Sequence, residues 1–207
     1  MKISKLGMRR AAAAAAVAAV AAVGLSSMGA GGAAAGKLPN GYKKVTGIDG
    51  QVVQTWRTGE YAFAQQSEAH NGAGRSARVS GTYTSKISKG GGNVEVGYLV
   101  GCQVNLGSLD AGISISATPS IGASLSLPLS PGEIKKVSVT DKDFKNNLVS
   151  LQFSGVEIDV QGCGGFAQAR SYVKVLAADG YNTDEGTVNG EGSAVQSTLY
   201  GKPFSLG

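Results

Sequence analysis

The chain has 207 residues, with 19 Lys and Arg against 14 Asp and Glu, 32 glycines, two cysteines and one histidine. Lys2, Lys5, Arg9 and Arg10 lie in the first ten positions, so the remainder carries 15 basic against 14 acidic side chains, a formal charge of +1 that removes the electrostatic case for nucleic-acid binding. One histidine and two sulfurs leave no metal set, and no Ser-His-Asp elbow, glycosidase-type pocket or phosphate loop can be assembled, so the sequence implies no enzyme and no cofactor.

Met1 to Ala35 reads as a secretory signal peptide, with the four basic residues as its front, Ala11 to Leu25 as its apolar core and Ala33-Ala34-Ala35 as a small-residue exit. Met28-Gly29-Ala30 is a second candidate cut, and the alanine-rich run is too weakly hydrophobic to favour retention as an anchor. Residues 36–207 are then one exported domain of about 172 residues.

Gly36 to Gly50 predicts an extended arm or edge strand closed by a turn at Asp49-Gly50. Gln51 to Tyr61 holds Val52, Val53 and Trp56, the last read as a core or interface anchor. Ser67 to Gly74 predicts a helical turn, with His70 as a surface or capping residue. Arg75 to Ile87 alternates as a strand, Lys89 to Asn93 as a glycine turn and Val94 to Leu106 as a second strand, with Val94, Val96, Tyr98, Val100 and Cys102 on one face; together they predict a hairpin.

The stretch from Leu109 to Leu129 has the strictest pattern. Leu109, Ala111, Ile113, Ile115, Ala117, Ile121, Ala123, Leu125, Leu127 and Leu129 occupy the odd positions, with Ser, Gly, Thr, Asp110 and Pro128 between them. Two strands joined at Thr118-Pro119-Ser120 follow, one face oily and the other mostly hydroxyl. From Val96 to Gly132 Asp110 is the only charge, and each arm is about nine residues, near the ~9 to 11 that a tilted strand needs to cross a bilayer. Two readings stand: a membrane-inserting hairpin over about 106–131, or an amphipathic hairpin of a soluble sandwich.

Pro131-Gly132 breaks that pattern. Ile134, Val137 and Val139 resume a strand, Asp141 to Asn147 reads as a polar loop, and Leu148 to Val160 alternates again with Gly155 as a bulge where the phase shifts. Phe166 to Ala178 continues with Ala167, Ala169, Tyr172, Val173 and Val175. Turns at Asp179-Gly180 and Asp184-Glu185-Gly186 precede a last strand over Thr187 to Tyr200. Asp141, Asp143, Asp159, Asp179, Asp184 and Glu185 read as solvated acids in or beside turns, and Asp184-Glu185 lacks the ligand spacing of a calcium loop. Strand after strand with short turns predicts an all-β sandwich or barrel. Export makes a Cys102–Cys163 disulfide the default, and it would clamp the base of the hairpin.

In order and spacing the chain resembles the MspA-type porins of actinobacteria with a mycolate outer membrane. The similarity lies in Asp49-Gly50-Gln51, His70 to Gly81, Val94 to Gly101, Gly122 to Ser126, Gly164 to Arg170 and Tyr200 to Phe204. The resemblance implies a β-sandwich rim domain from which each subunit extends two strands, with eight subunits closing a sixteen-stranded transmembrane barrel. A homo-oligomer is also required physically, because two strands cannot close a barrel and open edges have no water to satisfy them in lipid.

On this reading Leu109, Ile113, Ile115, Ile121, Leu125, Leu127 and Leu129 face membrane lipid. Ser108, Ser114, Ser116, Ser120, Ser124 and Ser126 line a lumen for small hydrophilic solutes, where Asp110 gives a mild cation preference or pairs with Lys135 or Lys136. The family's acidic tip loop has no counterpart here, and the arms carry no aromatic girdle. The alternative is a secreted cell-wall or adhesion module that self-associates through the hairpin without conducting.

Overall fold

The computed structural model describes residues 36–67, 72–103, 112–116, 127–128, 132–145, 147–189 and 192–207, with 112–116 and 127–128 followed by their backbone. Among these residues every regular element is a strand. In chain order they are β1 (Gly36–Lys37), β2 (Gly41–Thr46), β3 (Val52–Gln65), β4 (Gly74–Ile87), β5 (Gly91–Cys102), β6 (Gly112–Ser116) and β7 (Leu127–Pro128). There follow β8 (Ile134–Phe144), β9 (Leu148–Gln161), β10 (Ala167–Ala178), β11 (Tyr181–Asn182), β12 (Thr187–Val188), β13 (Ala194–Tyr200) and β14 (Phe204–Ser205). A seven-stranded antiparallel sheet runs β1-β3-β4-β9-β6-β7 with β2 also on β3, and a five-stranded one runs β13-β10-β5-β8 with β14 also on β10.

The two sheets pack face to face because each long strand is apolar at every second position. On β5 the predicted set Val94, Val96, Tyr98, Val100 and Cys102 is buried throughout. It meets Val79, Val156, Ile158 and Val160 of the larger sheet in one core cluster, and Val53, Tyr83, Ile87 and Val149 in a second. Each such valine or isoleucine contributes about 1.5–3 kcal/mol by leaving water.

Two glycines in the left-handed region set the register. Gly155 (φ 75°) is the expected bulge: Val79 pairs with Val156 but Gly81 with Phe153, so β9 regains its inward phase. Gly59 (φ 60°) does the same in β3, where the pairing shifts between Thr58 and Tyr61. Its consequence is chemical. Arg57 and Glu60, three apart and otherwise on opposite faces, both turn inward and form a buried ion pair. Tyr83 Oη donates to Glu60 Oε1 at 2.9 Å and lies 3.2 Å from Tyr98 Oη. Burial, with Tyr98 beside it, pushes the Tyr83 hydroxyl well above the ordinary tyrosine range, and burial does the same to Tyr98.

The structure alters several sequence expectations. Strands β4 and β5 are not a hairpin, since β4 lies between β3 and β9 while β5 lies between β10 and β8. A glycine turn between alternating runs suits a corner between sheets as well as a hairpin. Here the corner is held by Gln51 Nε2 donating to the Lys89 carbonyl at 2.9 Å, by Ser88 N donating to the Val52 carbonyl at 3.0 Å, and by Val52 N donating to Ser88 Oγ at 2.8 Å. The expected loop from Asp141 starts later: Phe144 is buried in the core and keeps β8 extended, and the turn comes at Asn147 (φ 47°). The last long strand begins only at Ala194, because Asp184-Glu185-Gly186 makes a small hairpin whose return arm is β12. Trp56 is not in the core; it lies on the outer face, its ring 5.4 Å from that of Tyr42.

The edge strand over Gly41–Thr46, the turn at Asp49-Gly50 and the Cys102–Cys163 disulfide are as expected, the last with its Cα atoms 6.0 Å apart. The signal peptide and residues 68–71 of the predicted helical turn, His70 among them, lie outside the described residues, and Gly74 at its end already belongs to β4.

Candidate functional site

The segment singled out by its alternation enters the larger sheet. Strand β6 pairs antiparallel with β7, Gly112 opposite Pro128 and Ile113 opposite Leu127, which are the two arms of the expected hairpin. Ser108, Leu109, Asp110, Ser120, Ile121, Ser124, Leu125, Ser126 and Leu129, and the turn at Thr118-Pro119-Ser120, lie outside the described residues. The hairpin's first arm also lies along β9 of its own chain instead of standing clear of the sandwich. Ile113, Ser114, Ile115 and Ser116 stand opposite Val160, Asp159, Ile158 and Glu157. Within one chain this gives the far side of β9 the hydrogen-bonding partner that an edge strand otherwise lacks.

Directly opposed residues of a ladder share a face. The apolar positions 113 and 115 therefore fall in phase with Val160 and Ile158, both fully buried in the core. The hydroxyl positions 114 and 116 fall in phase with Asp159 and Glu157, on the outer face of the sheet.

That outer face is a band of neutral polar groups over β4 and β9. Thr84 Oγ1 lies 3.0 Å from Ser150 Oγ, Thr82 stands opposite Gln152, and Ser80 Oγ donates to Ser154 Oγ at 3.5 Å. Further along come the charges. Glu157 lies 3.7 Å from Arg78 Nη2, accepts from Ser76 Oγ at 3.2 Å, and accepts from Gln65. Asp159 Oδ2 accepts from Gln161 Nε2, whose amide also donates to Ser67 Oγ at 2.6 Å. Asp159 is only 4% exposed, and its Oδ1 has no hydrogen-bond partner among the described residues.

The sequence reading missed this carboxylate by counting it among solvated acids. Asp159 is a strand residue two positions before the end of β9, as Asp141 and Asp143 are strand residues of β8. The signal was present: with Val156, Ile158 and Val160 pointing inward, Glu157, Asp159 and Gln161 share the other face.

At the base of the segment the disulfide joins the end of β5 to the turn after β9, enclosing the hairpin in its loop. Gln103 N donates to the Phe166 carbonyl at 2.8 Å and Gly132 N to the Cys102 carbonyl at 3.2 Å. Beside them is a groove of ≈ 310 Å³ lined by Gly101, Ile134, Phe166 and Gln168 among others. The two lysines offered to Asp110 by the sequence have carboxylate partners here, Lys135 with Glu133 at 2.5 Å and Lys136 with Glu95 at 2.8 Å.

The outer face of the five-stranded sheet is built differently. Glu95 accepts from Lys136 and from Tyr172 Oη at 2.7 Å, with Lys174 Nζ 4.0 Å away. Burial pushes the Glu95 carboxyl up, but Lys136 and Tyr172 together outweigh it and hold it below the ordinary glutamate value. Lys136 lies 4.8 Å from the centre of the Tyr172 ring, and Arg170 lies 4.4 Å from that of Tyr200. Among the described residues no group of three or more His, Cys, Asp or Glu side chains is placed to hold a metal. No helix among them is long and apolar enough to cross a membrane, which leaves strands as the elements to consider.

One family model, described as MspA, matches residues 49–205. No curated protein matches the chain closely enough to count as a relative.

Proposed function

The chain belongs to the MspA family, a family of porins, and on that premise we propose that it forms a water-filled channel for passive diffusion of small hydrophilic solutes and ions across an outer, mycolate-type membrane. Residues 1–35 are its export signal and residues 36–207 its single porin domain. Copies of the chain assemble, eight of them by the family pattern, and each contributes the hairpin at about 106–131 to a common barrel. Leu109, Ile113, Ile115, Ile121, Leu125, Leu127 and Leu129 face lipid. Ser108, Ser114, Ser116, Ser120, Ser124 and Ser126 line the lumen, whose hydroxyls hydrate solutes without holding them. Asp110, repeated around the ring, adds a mild preference for cations. The protein performs no chemistry on what passes.

The observation that carries this reading is the phase of the hairpin. The Ile113–Leu127 pairing puts apolar opposite apolar across its arms, which supports one oily and one hydroxyl surface on a continuous ribbon. The pairing of β6 with β9 within one chain favours a second reading, a secreted self-associating module whose hairpin stays against the sandwich.

Ion conductance across a planar bilayer, measured on detergent-extracted protein with Asp110→Asn beside it under a salt gradient, separates the two. Discrete conductance steps are expected, with cation preference lowered in the variant. Folded, oligomeric protein that gives no steps leaves the secreted module as the better account. Steps with unchanged selectivity keep the channel and remove Asp110 from it.

A further inference from the structure

If the hydroxyl face of the hairpin looks into a lumen, the register of β6 on β9 says what the lumen becomes above the membrane. Ser114 and Ser116 stand opposite Asp159 and Glu157, and those residues stand opposite Ser76 and Arg78 of β4. One face therefore continues from the hairpin, across the Gly155 bulge that shifts β9 from odd to even outward positions, on to Thr82, Thr84, Ser150 and Gln152. The same face turns aromatic only on β2 and β3, the strands remote from the hairpin, where Tyr42, Tyr61 and Phe63 are about half exposed.

Resting on the channel reading, the geometry points to the outer β4–β9 face of the larger sheet as the wall of the channel's vestibule, with Asp159 as its ion-selecting group. The hydroxyl and amide side chains of this wall are neutral, so they offer water-like partners to any small hydrophilic solute and discriminate weakly. Of its two carboxylates among the described residues, Glu157 has the Arg78 guanidinium at 3.7 Å, whereas Asp159 has one amide on Oδ2 and no described group on Oδ1. A carboxylate removed from water and left half satisfied gains from a passing cation, and repetition around a ring of copies makes it a ring of negative charge, with Arg78 engaged by Glu157 and Lys86 at the far end of the same face. Such a charge, set back from bulk solvent, is screened less by salt than an exposed one. On this basis cation preference in this chain does not require an acidic tip on the hairpin.

Two measurements on the full-length assembled protein test this. In bilayers under a salt gradient, Asp159→Asn is expected to lower the cation-to-anion permeability ratio about twofold or more while steps persist. Glu95→Gln, on the outer face of the other sheet, is expected to leave the ratio unchanged. Unchanged selectivity in a conducting Asp159→Asn channel, or an equal shift from Glu95→Gln, overturns the assignment. Absence of conductance from the unaltered protein instead defeats the channel reading beneath it.

Cysteine modification decides the wall independently, including the case in which Asp159→Asn does not fold. Both native cysteines are already in the disulfide. A cationic methanethiosulfonate reagent added to single channels is expected to reduce conductance stepwise in Gln152→Cys and to leave Gln196→Cys, exposed on the opposite outer face, unaffected. A Gln152→Cys channel indifferent to the reagent removes the vestibule wall from this face.

Discussion

The two outer faces of the sandwich solve the problem of polar surface in opposite ways. On the five-stranded sheet Glu95, Lys136, Tyr172 and Lys174 answer one another, and Arg170 lies over Tyr200, so the face is closed on itself. On the seven-stranded sheet the β4–β9 band is mostly uncharged hydroxyl and amide, and its one well-buried carboxylate has an oxygen to spare. A face whose charges are matched has little left to offer an ion. On the channel reading proposed above, the difference gives structural work to one side and an encounter with water and solutes to the other.

The comparison presumes a core that holds the faces apart, and the largest effect is expected there. Glu60→Ala leaves the Arg57 guanidinium buried without its carboxylate and strips Tyr83 Oη of its acceptor. A loss of about 3–5 kcal/mol in unfolding free energy is expected by denaturant titration. A loss near zero would mean that the pair is not desolvated, and the sandwich separating the two faces would have to be redrawn.

The next effect belongs to the matched face. Glu95→Gln is expected to cost under about 1 kcal/mol near neutral pH, since Lys136 is 46% exposed and solvent screens the pair. Its pH dependence is the sharper test. Because the folded Glu95 carboxyl is held below its ordinary value of 4.5, the unfolded chain binds more protons than the native one just below that pH. The stability it contributes is complete above pH 4.5 and is lost as pH falls through the lower, folded value. The gap between the unaltered protein and Glu95→Gln should therefore close on acidification; a gap that widens would show the carboxylate to be unpaired in solution.

The smallest effect is expected on the band itself. Thr84→Ala removes one partner of an exposed hydroxyl pair with Ser150, and a change within about 0.5 kcal/mol is expected in thermal melts. A larger loss would give this face a structural role and blur its contrast with the other.

Much of the architecture was legible because period-two alternation is a backbone rule that a single strand enforces alone. The inward set of β5 from Val94 to Cys102, the bulge at Gly155 and the cysteine pair follow from local pattern or from export. What alternation cannot encode is which strand lies alongside. The glycine turn after Ile87 looked like a hairpin because a hairpin and a corner between sheets use the same residues, and only the neighbours β3, β9, β8 and β10 distinguish them. Asp159 was misplaced for a related reason. Its importance comes from standing opposite Ser76 on one side and Ser114 on the other, and neither neighbour lies within 40 residues of it in sequence. The pairing of Arg57 with Glu60 needed the bulge at Gly59, which a sequence shows only as a glycine among many.

The Cys102–Cys163 bond has a consequence for how the hairpin can be studied. Every residue of the hairpin lies between those two cysteines, so a peptide bond cut anywhere within it leaves a nicked molecule whose fragments stay covalently joined. Limited proteolysis of the hairpin is thus silent on a non-reducing gel and visible once thiol is added, and the two lanes together date the moment at which the segment becomes protected.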